Sequence, residues 1–579
     1  MLHQRAGTNR FTLLLMATTA LALQACGGGG STTPSVQSPV VISNIAPVAN
    51  AGADQQVLEN ATVTLSGSGS DSDGTVASWA WSQLSGPTVT LTDGSTAIAT
   101  FTAPSADTTQ SLEFRLQVTD NQGATATDTV IIEVIDGRPV ELTAAPDAVT
   151  KMPFARFDFT SQDATGFECS LDGGEFANCQ SPYTVMPISV GDHQLSIRAI
   201  GADGSVREIT RHDWTVSSIF GDHNDAEIDE NLIRTTVQPN RVEPNSWRGI
   251  LRINCDFAHS SYDDPIVFPD QDNAAHLHRF YGNMLLDETS TLESLFTTGQ
   301  SSCQGDELNR SAYWIPALLA PSYNQQTEAR LLDDNGDPAW QVVSAVVGND
   351  DVAHEIFYYS AGVDDLESIQ PIPLGLKMIA GNGAAMPGME QDTSIVRWHC
   401  QSWESSDATN PRWSTSIPEC QAPDRLRMDV FFPSCWDGVN LDSDDHKSHL
   451  AYPITTNDGM TMCPTEHPEP IIRVSFHYAF GVTPDVYDPV TQSSRGWRIA
   501  SDMYDVNQAT PGGMSLHGDW FNAWHPEALQ AVLDVCIKGE LDCHDGNLAN
   551  GYRLSGTQPG TQEEPDIVNM GHGMGSMNH

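Results

Sequence analysis

The stretch "LEFRLQVTDNQGATATDTVIIEVI", residues 112–135, decides the fold class of the chain. Apolar and polar residues alternate along it, and a turn-forming group that contains Asn121 and Gly123 interrupts the alternation midway. Because successive side chains of a strand point to opposite faces, this pattern predicts two strands that each bury one face and are joined by a turn. The segment "ATVTLSGSGS", residues 61–70, has the same period. We therefore expect an all-β unit over residues 47–136.

Two immunoglobulin-like domains are expected in the N-terminal part of the chain. Within residues 47–136, the segments "PVANAGADQQV", "SGSGSDSDGTVASWAWSQLSGP" and "FRLQVTDNQGATATDTVIIEV" resemble the polycystic-kidney-disease (PKD) type of immunoglobulin-like domain. Within residues 138–217, "FECSLDGGEFANCQSPYTV" and "GDHQLSIRAIGADGSV" resemble a bacterial immunoglobulin-like domain. Cys169 and Cys179 lie ten residues apart across an Asp-Gly-Gly turn, a spacing that suits a disulfide across a hairpin.

A larger domain is expected over residues 246–545, after a polar, acidic linker over residues 218–245. Short alternating segments such as "IIRVSFHYAF", together with many Pro and Gly turns, favour a mainly β fold. Two helices are expected, "STLESLFTTG" with Ser290 as its cap and "HPEALQAVLDVCIKG" with Pro526 in its first turn. The predicted fold class is mainly β, with two N-terminal immunoglobulin-like β-sandwiches followed by a larger, disulfide-stapled β-rich domain with a few helices.

The first 26 residues predict export. Arg5 and Arg10 precede the apolar run "FTLLLMATTALAL", which is too short to span a bilayer and is typical of a signal peptide. The segment "LQAC" resembles a bacterial lipobox, which implies that Cys26 is lipidated and that the protein meets the membrane through this lipid anchor alone. An ordinary signal peptide is the alternative. Residues 27–46 are expected to form a flexible linker, and the expected location is the bacterial cell surface or outer membrane, outside the cytoplasm.

The charge and the cysteines of the chain narrow its partners and its compartment. A net charge of −48 repels nucleic acid and anionic lipid, and excludes both as expected partners. Eleven cysteines are present, and ten remain without Cys26. An even number in an exported protein predicts five disulfides, although spacing does not fix their connectivity. Proximity in sequence suggests the pairs Cys169–Cys179, Cys400–Cys420, Cys435–Cys463 and Cys536–Cys543, and leaves Cys255 with Cys303.

Two pairs of histidines stand out in the C-terminal domain. His276 and His278 lie two apart, so on a strand they would share a face and can hold one metal ion. His446 and His449 lie three apart in "FPSCWDGVNLDSDDHKSHLAYP", residues 432–453, and would share one side of a helical turn. Nearby aspartates can orient these imidazoles. The alternative for both pairs is a structural role, with the ring nitrogens bonded to backbone carbonyls.

Two further segments are expected to lie close to these histidines. "CPTEHPEP", residues 463–470, contains His467 and the expected disulfide partner of Cys435. In "SLHGDWFNAWHP", residues 515–526, a His-Gly-Asp turn stands beside two tryptophans. Aromatic faces stack on sugar rings while His and Asp bond sugar hydroxyls, so this segment predicts a carbohydrate subsite.

These segments together resemble a known family, the domain of unknown function DUF1996. The resemblance rests on "DDPIVFPDQDNAAHLHRFYGN", "SAYWIPALL", "FPSCWDGVNLDSDDHKSHLAYP", "CPTEHPEP" and "HGDWFNAW" and extends over residues 250–540. The family occurs in secreted fungal and bacterial proteins, in fungi often beside a presumed carbohydrate-binding module, which implies work at a cell wall or on an extracellular polysaccharide. The family's recurring His and Asp positions correspond to His276, His278, Asp437, Asp442, His446, His449, His517 and Asp519.

The sequence leads to one preferred function and two alternatives. We expect a surface-anchored protein that acts on or binds polysaccharide, whether as a hydrolase or as a lyase. The first alternative is an adhesion protein that binds glycan without cleaving it, and the second is a protein that binds copper or zinc. The expected catalytic residues are His276, His278, Asp437, Asp445, His446, His449, His517 and Asp519, and the expected sugar-binding residues are Trp436, Trp520 and Trp524.

The cofactor and the oligomeric state stay open at the level of sequence. Calcium, copper and zinc are the divalent ions considered. The tail over residues 546–579 contains Met570, His572, Met574, Met577 and His579, whose thioether and imidazole groups suit copper. A plain disordered tail is the preferred interpretation of its composition. No Gly-x-Ser-x-Gly, phosphate-binding Gly loop or His-Glu-x-x-His segment is present in the sequence.

Overall fold

The computed structural model confirms a mainly β protein and describes most of the chain. The described residues are 43–106, 109–135, 139–162, 164–201, 204, 206–221, 227–242, 248–324, 326–333, 335–345, 355–402 and 412–560. Cys26 and the Met/His positions from 570 to 579 lie outside them. The chain divides into two compact units, Met1–Gly137 and Arg138–His579. No helix among the described residues has both the length and the apolar composition needed to cross a membrane.

The first unit is a β-sandwich. Its main sheet has the strand order β2-β8-β7-β5, and β3-β6 and β1-β4 form two smaller sheets. Residues 112–135 span most of β7 and all of β8, which pair antiparallel with Phe114 opposite Val130. The alternation places Phe114, Leu116 and Val118 in the core, where each is fully buried. The strands are β1 Val48–Asn50, β2 Gln55–Leu58, β3 Thr62–Ser66, β4 Ser68–Ser70, β5 Val76–Ser85, β6 Ile98–Thr102, β7 Gln110–Asp120 and β8 Thr125–Ile135.

The second unit begins with another β-sandwich. Its sheets have the orders β10-β16-β15-β12-β13 and β14-β11-β9. Cys169 on β12 bonds to Cys179 on β13 across the expected hairpin. The strands are β9 Glu141–Ala144, β10 Val149–Thr150, β11 Ala155–Thr160, β12 Gly166–Leu171, β13 Ala177–Cys179, β14 Tyr183–Val185, β15 Gly191–Ile200 and β16 Thr210–Val216.

The C-terminal domain follows in the same unit. Its strands are β17 Leu232–Arg234, β18 Ile250–Asn254, β19 His259–Ser261, β20 His278–Gly282, β21 Ala312–Pro316, β22 Leu318–Pro321, β23 Trp340–Val342, β24 Glu355–Ser360, β25 Lys377–Gly381, β26 Val396–Cys400, β27 Arg425–Phe431, β28 Cys435–Trp436, β29 Leu450–Ala451, β30 Ile454–Thr455, β31 Thr461–Met462, β32 Glu469–Pro470, β33 Arg473–Gly481, β34 Arg498–Ile499, β35 His517–Phe521, β36 Asp542–Cys543 and β37 Tyr552–Leu554.

Two large sheets form the body of the C-terminal domain. Their strand orders are β26-β27-β33-β24-β18-β36 and β19-β20-β21-β35-β25. Aromatic rings from both sheets meet in one core, with Tyr313 of β21 at 4.5 Å from Phe357 of β24 and at 5.8 Å from Phe476 of β33, measured between ring centroids. On the outer face of the five-stranded sheet, Phe280, Trp314 and Phe521 belong to a second, smaller apolar cluster.

The helices are few and short. The helix α1, Leu292–Thr297, is capped by Thr291, whose hydroxyl accepts from the Ser294 backbone N–H. Thr291 therefore takes the capping role that the sequence suggested for Ser290. The helix α2, Pro526–Ala531, begins with the expected proline and continues as a π-helix over Val532–Ile537. Single turns of 3-10 helix lie at Asp306–Leu308 and Leu366–Ser368.

Five disulfides link the described cysteines, in the pairs that sequence proximity suggested. All eight cysteines of the four disulfides in the C-terminal domain are buried. The pairs are Cys169–Cys179, Cys255–Cys303, Cys400–Cys420, Cys435–Cys463 and Cys536–Cys543.

The second sandwich contacts the C-terminal domain around helix α1. Phe154 and Phe296 pack with ring centroids 5.8 Å apart, and Arg156 forms an ion pair with Glu293. Elsewhere, His525 donates a hydrogen bond from Nε2 to the backbone carbonyl of Lys151 at 2.8 Å. The second sandwich is therefore joined to the C-terminal domain by apolar, ionic and hydrogen-bonded contacts.

A prediction concerns Gly518, where β35 approaches the larger sheet. A Cβ at this position would lie 3.2 Å from Val430 Cγ1 and 3.3 Å from Phe476 Cδ2, so Gly518→Val should overpack the core. We expect the free energy of unfolding to fall by about 1–3 kcal/mol, measured by denaturant unfolding. The control is Gly556→Val, since a Cβ at Gly556 meets nothing within 4 Å. Equal stability of the two variants would contradict this account of the sheet packing.

Candidate functional site

Three histidines converge on the outer face of the five-stranded sheet. His278 begins β20, His276 precedes it by two residues, and His517 begins β35. The ring centroids lie 4.2 Å apart for His276 and His278, 5.0 Å for His276 and His517, and 6.0 Å for His278 and His517. One ring nitrogen from each residue lies within 4.8 Å of the others. This spacing fits three ligands of a single metal ion.

Backbone carbonyls orient two of the three imidazoles. His278 Nδ1 lies 3.1 Å from the carbonyl oxygen of Asp263, and His517 Nδ1 lies 2.9 Å from that of Ser515. Because a carbonyl oxygen only accepts, each Nδ1 donates, and in the neutral ring the lone pair is left on Nε2. His278 Nε2 is buried and has no hydrogen-bond partner among the described residues. This arrangement is the one in which metal-binding histidines are held.

Burial keeps these imidazoles neutral. It lowers the pKa of His278 to about 4. Burial also lowers the pKa of His517 to about 3, and the neighbouring His278 adds to the effect. Both rings therefore carry no charge at neutral pH, and the neutral imidazole is the form that binds a metal ion.

Two buried carboxyl groups complete the cluster. Asp264, His278 and Asp519 also offer one ligand atom each within 4.8 Å of one another. Asp519 is 1% exposed, and its Oδ2 lies 3.8 Å from His517 Nε2 and has no hydrogen-bond partner among the described residues. Burial raises the pKa of Asp519 well above its usual value, and the nearby Asp264 raises it further. Burial likewise raises the pKa of Asp264. A bound cation would offset the cost of ionising both groups.

Four of these five side chains, those of Asp264, His276, His517 and Asp519, line a pocket of about 540 Å³ that loops from four parts of the domain enclose. Its size falls within the range of about 300–1,000 Å³ that is typical of ligand pockets. Gly383 lies against the His517 ring, since a Cβ there would lie 3.1–3.4 Å from the ring atoms. The lining includes Asp264, His276, Asn382, Gly383, Asp444, Asp445, His446, Lys447, Ser501, Met503, His517 and Asp519.

The alternation of side chains along the strand β35 explains why His517 and Asp519 reach the pocket while Trp520 is buried in the core. The sequence suggested a turn at His-Gly-Asp, but His517–Phe521 is a strand. Alternation along the strand directs His517 and Asp519 toward the pocket and Trp520 into the core between the sheets. Trp520 is 0% exposed and Trp524 is 1% exposed. A sugar ring cannot stack on either side chain, so the expected sugar-binding role of these two tryptophans is wrong.

Two segments of the chain match known family models. Residues 264–524 match the family model described as domain of unknown function DUF1996. The C-terminal domain is a DUF1996 domain. Residues 51–134 match the model of the K319L-like PKD domain, so a PKD domain precedes it in the chain. Both resemblances expected from the sequence are thereby confirmed. A comparison with curated proteins found no match.

Solved structures share only parts of the chain. The PKD domain from the KIAA 1837 protein has 28% identity, a TM-score of 0.14, and coverage of 16% of this chain and 91% of its own. The fibronectin(III)-like modules of Clostridium thermocellum CbhA have 16% identity, a TM-score of 0.19, and coverage of 31% and 99%. A nucleoside hydrolase-related hypothetical protein from Saccharophagus degradans has 24% identity, a TM-score of 0.15, and coverage of 16% and 26%.

The compartment follows from the domains and the disulfides. Five disulfides and a PKD domain beside a second immunoglobulin-like sandwich indicate an extracytoplasmic protein, because disulfides persist in oxidising surroundings.

The segment over residues 432–453 contributes to the pocket of the DUF1996 domain, but only through its middle. His446 has a positive φ of 55° and lies in a turn, not in the helical turn that its spacing from His449 suggested. Its Nδ1 lies 2.8 Å from Asp442 Oδ1. Asp445 accepts from the backbone N–H groups of Ser448 and Lys447, and these hydrogen bonds hold the pKa of Asp445 well below its usual value. Asp445 therefore lines the pocket as an ionised group that also anchors the loop.

Three other residues of this segment lie outside the pocket lining. His449 is 1% exposed, with Nδ1 at 2.9 Å from Ser443 Oγ and Nε2 at 2.8 Å from the carbonyl oxygen of Lys377. Asp437 caps a turn by accepting from the backbone N–H groups of Val439 and Asn440. Trp436 packs against the core and donates from Nε1 to the Asn440 carbonyl. The expected catalytic roles of His449 and Asp437 do not agree with these positions.

The neighbouring segment holds the loop in place, as its sequence suggested. Cys463 is bonded to Cys435, and His467 Nε2 lies 2.9 Å from the carbonyl oxygen of Ser448. The disulfide and this hydrogen bond fix the two ends of a loop whose middle residues reach the pocket.

Several pocket residues were missed in the sequence. Asp264 belongs to "DDPIVFP", where a carboxyl group beside a run of apolar residues is a signal for a buried acid. Asn382, Ser501 and Met503 come from segments with no pattern that distinguishes them from ordinary loops.

A second polar network connects a serine, a histidine and an aspartate in the same sequence of hydrogen bonds as a Ser-His-Asp catalytic triad. Ser475 Oγ lies 3.0 Å from His477 Nε2, and His477 Nδ1 lies 2.8 Å from Asp429 Oδ1. Although burial favours the neutral acid, His477 and Arg397 hold the pKa of Asp429 well below its usual value. Ser475 is 0% exposed, so its hydroxyl cannot reach a substrate. This network therefore stabilises the six-stranded sheet rather than forming a site.

A prediction separates the structural histidine from the pocket. His449→Ala removes a buried ring that links Ser443 to the Lys377 carbonyl, and it should lower the free energy of unfolding by about 1–3 kcal/mol. His446→Ala, at a partly exposed ring with one hydrogen bond to Asp442, is the comparison and should cost less. Denaturant unfolding of both variants measures the difference. A larger loss for His446→Ala would contradict the assignment.

Proposed function

We propose that the DUF1996 domain is a metal-dependent enzyme that acts on extracellular polysaccharide, with one zinc ion held by His276, His278 and His517. The observation that carries the proposal is the convergence of three imidazoles within ligand distance of one another, two of them oriented by backbone carbonyls. Catalytic zinc sites use three protein ligands and leave one position open to water or substrate. Copper also binds imidazole and is the alternative ion.

The chemistry of such a site is hydrolytic. A zinc ion, when bound, acts as a Lewis acid and lowers the pKa of a coordinated water to about 7. The chain's own contribution is positional. Asp519 Oδ2, 3.8 Å from His517 Nε2, is placed to hold a proton or to add a ligand, and Asp264 lies in the same group. Asn382 and Ser501 add polar side chains to the pocket lining.

The polysaccharide part of the proposal has separate support. The pocket is open to solvent and large enough for a sugar unit. The chain is extracytoplasmic, and the family's occurrence in fungi beside a presumed carbohydrate-binding module supports work on an extracellular polysaccharide. The second candidate is a protein that binds glycan through the same pocket without cleaving it. Because Trp520 and Trp524 are buried and cannot stack on a sugar, the polar groups of the pocket would recognise it.

Metal analysis tests the centre directly. We expect about one zinc ion per purified chain, and His276→Ala should weaken zinc binding by more than the 10- to 100-fold that loss of an outer-sphere partner typically costs. His276 is only partly buried, so this variant should fold. His544→Ala is the matched control, because His544 is exposed and lies against Asp542, outside the pocket. Equal zinc affinity in both variants would reject the centre.

Incubation with a polysaccharide panel tests the reaction. The zinc-loaded protein should release new reducing ends, and a chelator or His276→Ala should abolish the release. Binding without release, in a protein that retains zinc, would favour the non-catalytic candidate.

We also propose that Cys26 carries a lipid that anchors the protein, on the support of the lipobox resemblance alone. In a bacterial host, the full chain should sediment with the membrane fraction, and Cys26→Ser should move it to the soluble extracytoplasmic fraction. The same distribution of both forms would reject the anchor.

A further inference from the structure

The metal pocket opens beside a second pocket in the same domain. The second pocket has a volume of about 430 Å³ and shares Ile379, Asn382 and Lys447 with the first. Each of the two volumes alone suits a small ligand. Two pockets with a common wall form a cleft that suits an extended ligand, with one part at the metal centre and another beyond the wall.

Lys447 occupies this common wall and is held there. Its Nζ donates a hydrogen bond to the carbonyl oxygen of Gly381 at 2.9 Å. It is the one Lys or Arg among the residues that line the two described pockets.

Apart from Lys447, the charged side chains that line the cleft are acidic. Asp444 and Asp445 line the metal pocket, and Glu390 and Asp392 line the second pocket. The backbone N–H of Ser394 lowers the pKa of Asp392, and backbone N–H groups do the same for Asp445, so both carboxylates are ionised at neutral pH. Since carboxylates outnumber the single ammonium group, the potential in the cleft favours cations and disfavours anions.

Buried polar groups at one end show that this cleft is more than an acidic surface. Asp519 lines the metal pocket at 1% exposure, and its Oδ2 has no hydrogen-bond partner among the described residues. His278 Nε2, beside it, is also buried and has no hydrogen-bond partner among the described residues. Groups buried at this cost are seldom left unsatisfied unless a ligand or an ion completes them.

We infer that the substrate is an amine-bearing glycan, a hexosamine polymer with free amino groups, bound across both pockets. The inference rests on the proposed function and names its substrate class. The sugar at the metal centre meets the histidines and Asp519, while protonated amino groups along the chain meet Asp444, Glu390 and Asp392. The acidic lining excludes polymers of uronic acids.

Calorimetric titration of the full exported protein tests this inference with five probes: glucosamine dimers and hexamers, cellohexaose, hexagalacturonate and hexalysine. The glucosamine hexamer should bind at least 10-fold more tightly than the dimer, because only the hexamer reaches both pockets. It should also bind more tightly than cellohexaose, and hexagalacturonate should not bind.

A charge reversal locates the effect in the second pocket. Glu390→Lys should weaken the glucosamine hexamer at least 5-fold and change the dimer and cellohexaose little. Glu466→Lys is the matched control, because Glu466 is also exposed but lines neither pocket. Both variants should keep the zinc content of the parent, which separates this inference from the metal centre.

Four results would overturn the inference. The first is that hexagalacturonate binds as tightly as the glucosamine hexamer, the second that the hexamer and the dimer bind equally, and the third that no probe binds. The fourth is that hexalysine binds more tightly than the glucosamine hexamer, which would indicate a basic peptide as the substrate. If zinc is retained in each case, the metal centre stands while the substrate class falls. Loss of zinc from the parent protein would instead reject the proposed function.

Discussion

The candidate site depends on the alternation of side chains along a single strand, β35, pressed between a core and a pocket. Gly518 and Trp520 face the larger sheet, where a Cβ on Gly518 would meet Val430 and Phe476 within 3.3 Å. His517 and Asp519 consequently face the other way. Because the core side is closely packed at Gly518, the strand cannot slip by one residue without moving a histidine into the apolar core and a tryptophan into the pocket. The tightness of the core therefore fixes the position of the candidate ligands.

Burial of the cluster has a cost that points to a cation. Two neutral histidines and two carboxyl groups with raised pKa values occupy a site that protein atoms alone leave partly unsatisfied. Such groups are tolerated where their unmade interactions serve a function. The hydrogen bonds from Nδ1 to backbone carbonyls are made in advance, so the imidazoles lose little rotational freedom when an ion binds. Preorganisation of this kind distinguishes a centre from a chance cluster.

The sequence revealed the fold class, the disulfide pairs and the main histidines, because alternation, spacing and family segments are local signals. Strand pairing brought His276, His278 and His517 together from segments 240 residues apart, and the family resemblance alone suggested that convergence. Burial was the quantity that sequence could not supply. From the sequence, Trp520 and Trp524 resemble aromatic residues that stack on sugars, but the structure buries both in the core. The two-residue period of "HGDWF" already places Trp520 on the face of the strand opposite to His517. His449 could bind a metal ion as an imidazole, but both its ring nitrogens already form hydrogen bonds, one with the Ser443 hydroxyl and one with the Lys377 carbonyl.

The second sandwich has a further bearing on the pocket. Phe154 and Met186 pack against the same apolar cluster as Ile266, Val267 and Ile379. Val267 and Ile379 line the pocket that contains His276 and His517, so the docked sandwich supports its wall from behind. A spacer that only separated a domain from a membrane would need no such contact. Because the apolar cluster and the Arg156–Glu293 ion pair act together, movement of the sandwich would disturb the pocket wall, and the two domains are better understood as one functional unit.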